Sequence, residues 1–497
     1  MQPQKTQERP SLHSKSLYLL TVLSKASFPY LYTSYYSICR ILDQLRTSPD
    51  RWNVGLSLFL DTQNETARFF GLSLVRDWMQ CELLTSPAAP STLMARERIR
   101  TSLMNWFTEV LKMLVADPSG LRNMNDVVPY YMSSNAVSVV TLSIKFDFPK
   151  LWPSAFAELQ QLGYGYGLLG IELVTRVLKE LEVEVVMFSE TRSKAEIAQN
   201  TAVKDAMRES TIILDMVTFL CQGAKHALGA QRVDICAACL HCLSELISWV
   251  DAALVVQAAL PVVYEMWQQC AHSSVRFACC GCFYELSKKG MDSVAKVRLL
   301  HSIQLVPLLT QDARIAAQLT RSDLSDEESQ EAEKVSVLVD MLVCELVGCW
   351  SKYEDSVCGG SSASSSGKSS KTVSPVNMTS NDGGDENLDI VTCIAVVVPF
   401  LQALLPLLMQ CFTHQVLAVS SAAIPACARL VALLRAQQPR SASLGALSAT
   451  NNNAVFLAEH YLDSLLSGVY SKSQYPEDFD FEAAAEDELD LEVEVSI

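Results

Sequence analysis

The spacing of apolar residues constrains this fold more than any other feature of the sequence. In residues 64–80 and again in residues 232–250, apolar side chains recur every three or four positions, the period of one face of an α-helix. The two stripes consist of Ala67, Phe70, Leu74 and Trp78, and of Val233, Cys236, Leu240, Leu243 and Ile247. The chain is therefore predicted to consist of amphipathic helices.

Residues that begin or end helices lie beside such stripes. Asn64 is a predicted N-cap, and Ser325 with Glu328 has the spacing of a capping box. The Ser-Pro pair at 48–49 has the pattern of a cap followed by a first-turn proline. The Lys-Lys-Gly sequence at 288–290 is typical of a helix end, with cations in the last turn and then a left-handed glycine.

The predicted helices come in pairs of about forty residues, which is the length of a HEAT repeat. The pairs span residues 41–60, 64–115, 125–162, 168–222, 232–269, 273–310, 331–412 and 415–467. Thr66–Phe69 and Ser274–Phe277 open two helices alike, with a residue predicted to be buried and then an arginine predicted to point outward. We predict an all-α fold, a right-handed α-α superhelix of HEAT-type repeats (an ARM-repeat-like solenoid), which acts by binding along its surfaces.

Composition and charge narrow the function classes. Glycine is scarce, at 19 of 497 residues, so long stretches lack the turn signals of an all-β fold. The formal net charge of −16 argues against a generic nucleic-acid binder, whose affinity comes largely from neutralising phosphates. The charge is compatible both with basic partners and with positive charge concentrated on one face.

The sequence carries no recognisable catalytic or metal-binding pattern. Most of the 16 cysteines lie inside apolar helical runs, as expected of reduced core residues. The cysteines at 236, 239 and 242, and those at 279, 280 and 282, follow helix faces rather than zinc-ligand spacing. Gly163–Gly167 does not follow a strand and is predicted to link two helices. Without a P-loop or nucleophile elbow, we predict no enzyme, no cofactor, no metal and no small-molecule substrate.

Some segments depart from the repeat pattern. Residues 1–40 hold five Lys/Arg and one acid, and we interpret them as a disordered or wrongly assigned start rather than a transit peptide. Tyr353–Asn387 is rich in Ser, Gly and Asp and is predicted to be a flexible insertion. Tyr475–Ile497 carries ten acids and no Lys or Arg, which predicts an exposed acidic tail.

One apolar stretch, Ile394–Phe412, is long enough to cross a bilayer. Two prolines and two glutamines interrupt it, and it lacks aromatic and basic flanks. We therefore interpret it as an inner repeat helix and expect no membrane span. A membrane-associated helical protein is the alternative.

Short motifs in a fixed order give a more specific indication. They are Ser48–Trp52 with Ala67–Phe70, Lys150–Phe156, Ala202–Glu209, Ser248–Asp251, Lys289–Lys296 and Tyr475–Leu489. Together they resemble the exportin-T family, the tRNA exporters of the importin-β (karyopherin) superfamily. The K-D-x-M-R-E and K-G-M-D elements are the more specific, whereas W-P-x-x-F is shared with other exportins. The resemblance runs from about residue 41 to 490 and covers only the family's amino-terminal half, which raises an incomplete gene model as an interpretation.

The resemblance implies a nuclear export receptor that binds tRNA cooperatively with Ran-GTP, contacts nuclear pore proteins and shuttles between nucleus and cytoplasm. It implies the following order: residues 1–40 unlike the family, Ran-binding repeats at 41–162, HEAT repeats at 163–352, a flexible insertion at 353–388, further HEAT repeats at 389–468 and an acidic tail at 469–497. The candidate contacts to Ran or tRNA are Lys204, Arg208, Lys288 and Lys289.

Alternatives stay open at this point. The four candidate cations could instead form solvated helix faces. The whole chain could be a karyopherin for protein cargo, or a HEAT-repeat scaffold that binds neither Ran nor RNA.

Overall fold

The structure, a computed structural model, describes residues 43–85, 90–116, 124–187, 189–359, 386–441 and 462–472. All regular structure in these residues is helical, which confirms the all-α prediction. The chain divides into two units, Met1–Gln269 and Cys270–Ile497, which are described separately below.

The first unit is a series of helices joined mainly by short connections. They are α1 (Arg51–Asp61), α2 (Glu65–Thr85), α3 (Pro90–Val115), α4 (Met124–Val127), α5 (Tyr130–Asp147), α6 (Ala155–Gly165), α7 (Gly167–Leu181), α8 (Lys194–Arg208), α9 (Ile212–Gly229), α10 (Val233–Trp249), α11 (Ala252–Ala258) and α12 (Leu260–Gln269). A π-helical turn, Glu182–Val186, directly follows α7.

Helical hairpins stack side by side in this unit. Helix α1 packs on α2, α6 on α7, and α9 on α10. The second helices form one layer, in which α2 packs on α5, α5 on α7 and α7 on α10. A Cβ atom at Gly55 of α1 would lie 2.5 Å from the carbonyl oxygen of Gly71 in α2, so the close approach of these helices requires glycine. Stacking of each pair on its neighbours is the arrangement expected of HEAT repeats.

The second unit is organised around one long helix. Its helices are α13 (Ser273–Lys288), α14 (Ser293–Ser302), α15 (Leu305–Thr310), α16 (Ala313–Leu319), α17 (Asp326–Gly359), α18 (Glu386–Thr413), α19 (Leu417–Ala422) and α20 (Ile424–Ser441), followed by a helix at 462–472. Helix α17 packs against α13, α14, α16, α18, α19 and α20. Its inward face is apolar, with Val335, Leu338 and Leu342 fully buried.

Two of the predicted helix starts are confirmed and a third is not. Asn64 caps α2, because its Oδ1 accepts a hydrogen bond of 2.9 Å from the Ala67 N–H. Ser325 and Glu328 form the capping box of α17, with hydrogen bonds of 2.9 and 3.3 Å. The Ser-Pro pair at 48–49 lies slightly outside the helix, since α1 begins at Arg51.

The glycine prediction at the end of α13 is wrong. Helix α13 ends near the predicted position, but its C-cap residue Lys289 leaves in an extended conformation with φ −50° and ψ 131°. An extended exit leads directly to Asp292, the N-cap of α14, so Gly290 does not need a positive φ. Gly167 takes a positive φ of 57° and reverses the chain between α6 and α7, where a helix linker was predicted.

The prediction of an outward arginine is also wrong for Arg276. Ala67 and Val275 are buried as expected, but the Arg276 side chain is buried too. The cause is two carboxylates from later in the chain: Asp312 pairs with Arg276 at 3.3 Å, and Glu331 accepts from its Nε. Burial of this arginine is possible because the two carboxylates balance its charge.

Pro399 and Pro406 do not interrupt α18, which continues through both of them. Each proline removes one backbone hydrogen bond, and packing of α18 on α14, α15 and α17 offsets this loss. The window Val396–Thr413 is long and apolar enough to cross a membrane by length and composition. Since 56% of that window is buried inside the protein, neighbouring helices cover much of its apolar surface.

Several predicted segments lie wholly or mostly outside the described residues. These are the start at 1–40 and the acidic tail from Tyr475 onward. The insertion predicted at 353–388 is helical at both edges, because α17 continues to Gly359 and α18 begins at Glu386. Residues 360–385 between them are outside the described part.

Candidate interaction surface

Lys204 and Arg208, the candidate contacts in the first unit, lie one turn apart on α8. Arg208 is exposed, and its guanidinium lies over the Trp249 ring, 5.4 Å from the ring centroid. It also pairs with Asp205 of the preceding turn at 3.2 Å. The Trp249 ring thus holds an exposed positive charge in a defined position, as cation–π contacts do.

A buried carboxylate also contacts this tryptophan. The Trp249 Nε1–H donates a hydrogen bond of 3.0 Å to Glu182, the first residue of the π-helical turn. Burial raises the pKa of Glu182 to about 7, although the Trp249 hydrogen bond and the charge of Lys204 lower it. Lys204 is half-buried and compensates this carboxylate, so Arg208 is the more available of the two cations.

Lys288 and Lys289, the candidate contacts in the second unit, have different surroundings. Lys288 is exposed, and its Nζ lies 5.4 Å from the centroid of the Tyr284 ring. Lys289 is half-buried at the C-cap of α13, where its backbone N–H donates to the Leu286 carbonyl. Of this pair, Lys288 is the one whose side chain faces solvent.

The structure adds residues from α13 and α17 to Lys288. The Nζ of Lys334 lies 5.5 Å from the Tyr284 centroid and 5.4 Å from the Phe277 centroid. We call Phe277, Tyr284, Lys288 and Lys334 the lysine–aromatic patch. Positive charge beside aromatic rings is the composition of surfaces that bind nucleic acid.

Sequence reasoning identified only Lys288 in this patch. Residues 277, 284 and 288 have the i, i+7, i+11 spacing of one helix face, which could have placed the two rings beside Lys288. Lys334 belongs to α17, and no local pattern connects it to α13.

Two buried cations fix α13 against its neighbours. Arg276 joins it to Asp312 at the start of α16 and to Glu331 in α17. Lys296 of α14 donates to the Ser287 carbonyl at 2.6 Å and pairs with Glu345 of α17 at 3.0 Å. The patch therefore lies on a part of α13 that is held near both ends.

The motifs that carried the resemblance are largely structural. Trp152 donates to Glu158 at 3.0 Å, and Asp251 and Asp292 cap α11 and α14. The Arg208–Trp249 contact joins two separate motifs, Ala202–Glu209 and Ser248–Asp251. These residues hold helix junctions in place, which explains why they form recognisable short motifs.

A cleft of about 440 Å³ between α5, the π-helical turn and α8 is a weaker candidate. Its buried cation, Lys145, pairs with Glu184 at 3.0 Å and with Glu196 at 3.8 Å. Arg192 donates to two backbone carbonyls. Because these charges neutralise one another, the cleft offers little attraction to a charged ligand.

The cysteines lie where core residues were predicted. Cys236, Cys239 and Cys242 are buried, and burial raises the pKa of Cys239 to about 11, which disfavours a thiolate at neutral pH. Within the described ranges, no group of three His, Cys, Asp or Glu side chains could hold a metal ion.

Comparisons with known proteins agree with the motifs. The sequence model of the exportin 1-like protein family matches residues 129–283. Exportin-T of Danio rerio is 24% identical over 451 residues, which is 90% of this chain and 39% of that protein. Exportin-T of Dictyostelium discoideum is 25% identical over 266 residues, 53% of this chain and 22% of that protein. The resemblance to exportin-T is thereby confirmed.

The coverage limits what these relatives imply. Exportin-T of Homo sapiens is 22% identical over 265 residues, 52% of this chain and 25% of that protein. The chain thus spans well under half the length of the relatives it matches. Similarity confirms the HEAT-type helical fold, whereas activity and partners belong to the proposal below.

Proposed function

We propose that this protein is a nuclear export receptor that binds tRNA cooperatively with Ran-GTP and carries it through the nuclear pore. In this proposal it acts as a transport receptor and not as an enzyme, contacts nuclear pore proteins, and shuttles between nucleus and cytoplasm. The observation that carries the proposal is the similarity to exportin-T along 90% of the chain.

Physical properties of the fold support this reading. Stacked helix pairs give extended surfaces, and small rotations between repeats can couple one ligand to another. Folded RNA is recognised mainly by shape and by its sugar-phosphate backbone. An overall charge of −16 opposes this binding, so local groups of cations must supply the attraction.

The residue assignments follow the two units. Lys204 and Arg208 lie on α8, and Lys288 and Lys289 lie at the end of α13; we propose all four as contacts to Ran or tRNA. Arg208 and Lys288 are the strongest of these, because both are exposed and each is placed by an aromatic ring. Ran binding is proposed for the repeats at 41–162, with HEAT repeats continuing at 163–352 and 389–468.

A binding experiment tests the proposal. Fluorescently labelled tRNA is titrated with the protein alone, with Ran loaded with GTP, and with Ran loaded with GDP. We expect tRNA affinity to rise with Ran-GTP and not with Ran-GDP. Equal affinity under all three conditions would refute cooperative export of tRNA.

A second candidate is a karyopherin for basic protein cargo. The net charge of −16 and the broader exportin 1-like match favour it. Ran-GTP binding without any tRNA binding would support this candidate. Binding of neither ligand would instead indicate a scaffold.

A further inference from the structure

The lysine–aromatic patch concentrates positive charge on a chain that is negative overall. The Nζ atoms of Lys288 and Lys334 both lie within 5.5 Å of the Tyr284 ring centroid, although the two lysines come from different helices. Two ammonium groups attracted to one ring repel each other, and the ring compensates only part of this repulsion. An anion bound at the patch would relieve it.

We infer that the lysine–aromatic patch binds the phosphate backbone of RNA. This inference rests on the proposed function and specifies one part of its RNA contact.

The carboxylates around the two lysines form no ion pair with them in the described residues. In the described part of the chain, neither Lys288 nor Lys334 forms an ion pair with an acid, whereas Lys112 and Lys225 do. Glu331 lies close in sequence, but it is buried and paired with Arg276. Glu285 lies one turn before Lys288 on α13, but no ion pair joins these two described residues. Glu333 adjoins Lys334, and adjacent positions on a helix do not face the same side.

The patch is also preorganised. Arg276 and its two carboxylates fix α13 against α16 and α17 on one side of the rings. Lys296, with the Ser287 carbonyl and Glu345, fixes α13 against α14 and α17 beyond them. A site held by buried ion pairs loses little conformational freedom when a ligand binds.

The chemistry favours phosphate over nucleobases. A lysine ammonium is a compact point charge, suited to phosphate oxygens rather than to the bidentate recognition of base edges. The Tyr284 ring already contacts both ammonium groups, which leaves it less available for base stacking. Binding should therefore depend strongly on salt and weakly on sequence.

The test uses the full chain and an unmodified tRNA transcript. Affinity is measured across a salt series, with and without Ran-GTP, for the Lys288→Gln/Lys334→Gln double variant. The matched control is Lys112→Gln/Lys225→Gln, which removes the same charge from two lysines that have acidic partners. An unrelated RNA duplex checks for dependence on sequence.

We expect the patch variant to reduce the slope of log K against log salt by about 1 to 2, the contribution of roughly two phosphate contacts. The control variant should keep the wild-type slope, and Lys288→Arg/Lys334→Arg should restore it. As an independent measurement on wild-type protein, RNA should protect Lys288 and Lys334 from acetylation but leave Lys112 reactive.

The outcomes separate this inference from the proposed function. RNA binding with unchanged slope in the patch variant, and no protection of either lysine, would overturn the inference alone. RNA binding at the patch whose affinity does not change with Ran-GTP would support the inference and overturn the proposed cooperative function. No RNA binding by wild-type protein under any condition would overturn both.

Discussion

Arg276 gives a direct test of how charge is accommodated inside the second unit. Replacing it with methionine keeps an unbranched apolar side chain in place of the arginine methylene groups and removes the positive charge. Glu331, whose side chain is 4% exposed, would then remain in the interior without its ion pair, whereas Asp312 would keep its 3.0 Å ion pair with Arg314. Breaking a buried ion pair by removing one partner costs about 3–5 kcal/mol. The unfolding free energy of the second unit should fall by about that amount.

The assay is urea unfolding of the full chain, followed by hydrogen exchange in peptides from α13 and α17. The control is Lys112→Met, which breaks an ion pair with Glu109 whose side chains are 55% and 66% exposed. Solvent screens this pair, so its loss should change the stability very little. A second substitution, Glu331→Gln, should recover part of the loss in the Arg276→Met background, because it removes one unpaired charge. If Arg276→Met costs no more than the control, the buried ion pair does not hold α13 to α17.

Three further outcomes are expected. Because burial raises the pKa of Glu182 to about 7 from an ordinary value of 4.5, the folded wild-type protein must bury a charged carboxylate above pH 7. Glu182→Gln should therefore add about 1–3 kcal/mol to the unfolding free energy at pH 8 and progressively less as the pH falls toward 4.5. If urea unfolding shows a gain at pH 5 as large as the gain at pH 8, the predicted pH dependence is wrong. Gly71→Ala should destabilise the protein by about 1–3 kcal/mol, because its Cβ would lie 2.9 Å from the Phe59 nitrogen. Gly348→Ala in α17 meets no atom within 4 Å and should stabilise the protein by about 0.5–1 kcal/mol. Equal melting temperatures for the two variants would refute the packing argument. Burial raises the pKa of Cys242 well above its ordinary value, so this thiol should resist alkylation until urea unfolds the chain. Alkylation of Cys242 in native buffer, detected by mass spectrometry, would contradict this and would indicate that α10 opens readily.

Local features of the fold were predictable from sequence. The Asn64 cap, the Ser325–Glu328 capping box and the buried cysteine faces each depend on residues within one helix. A repeated helical fold was predictable for the same reason, because each helix carries its own apolar stripe. The predicted pair boundaries were wrong, since the hairpins α1–α2, α6–α7 and α9–α10 each join helices assigned to different pairs. The motifs indicated the exportin-T resemblance well, since many of their residues occupy helix junctions.

Features that depend on distant partners were not predictable. Arg276 reads as an exposed helix residue until α16 and α17 bring Asp312 and Glu331 to it. Lys334 likewise shows no relation to Tyr284 in the sequence, and only helix packing places them together. The two prolines of α18 were interpreted as interruptions of the helix, because helix propensity does not include the tertiary packing that compensates for them.

The two units should come apart in different ways. In the first, each hairpin touches mainly its neighbours, so the end pairs can fray one at a time while the rest stays folded. In the second, α17 packs both on helices that precede it in the chain and on helices that follow it. These helices share α17 as a common partner, so we expect them to unfold together. Mechanical pulling would thus stretch the first unit in small steps and leave the second intact until it ruptures in a single event.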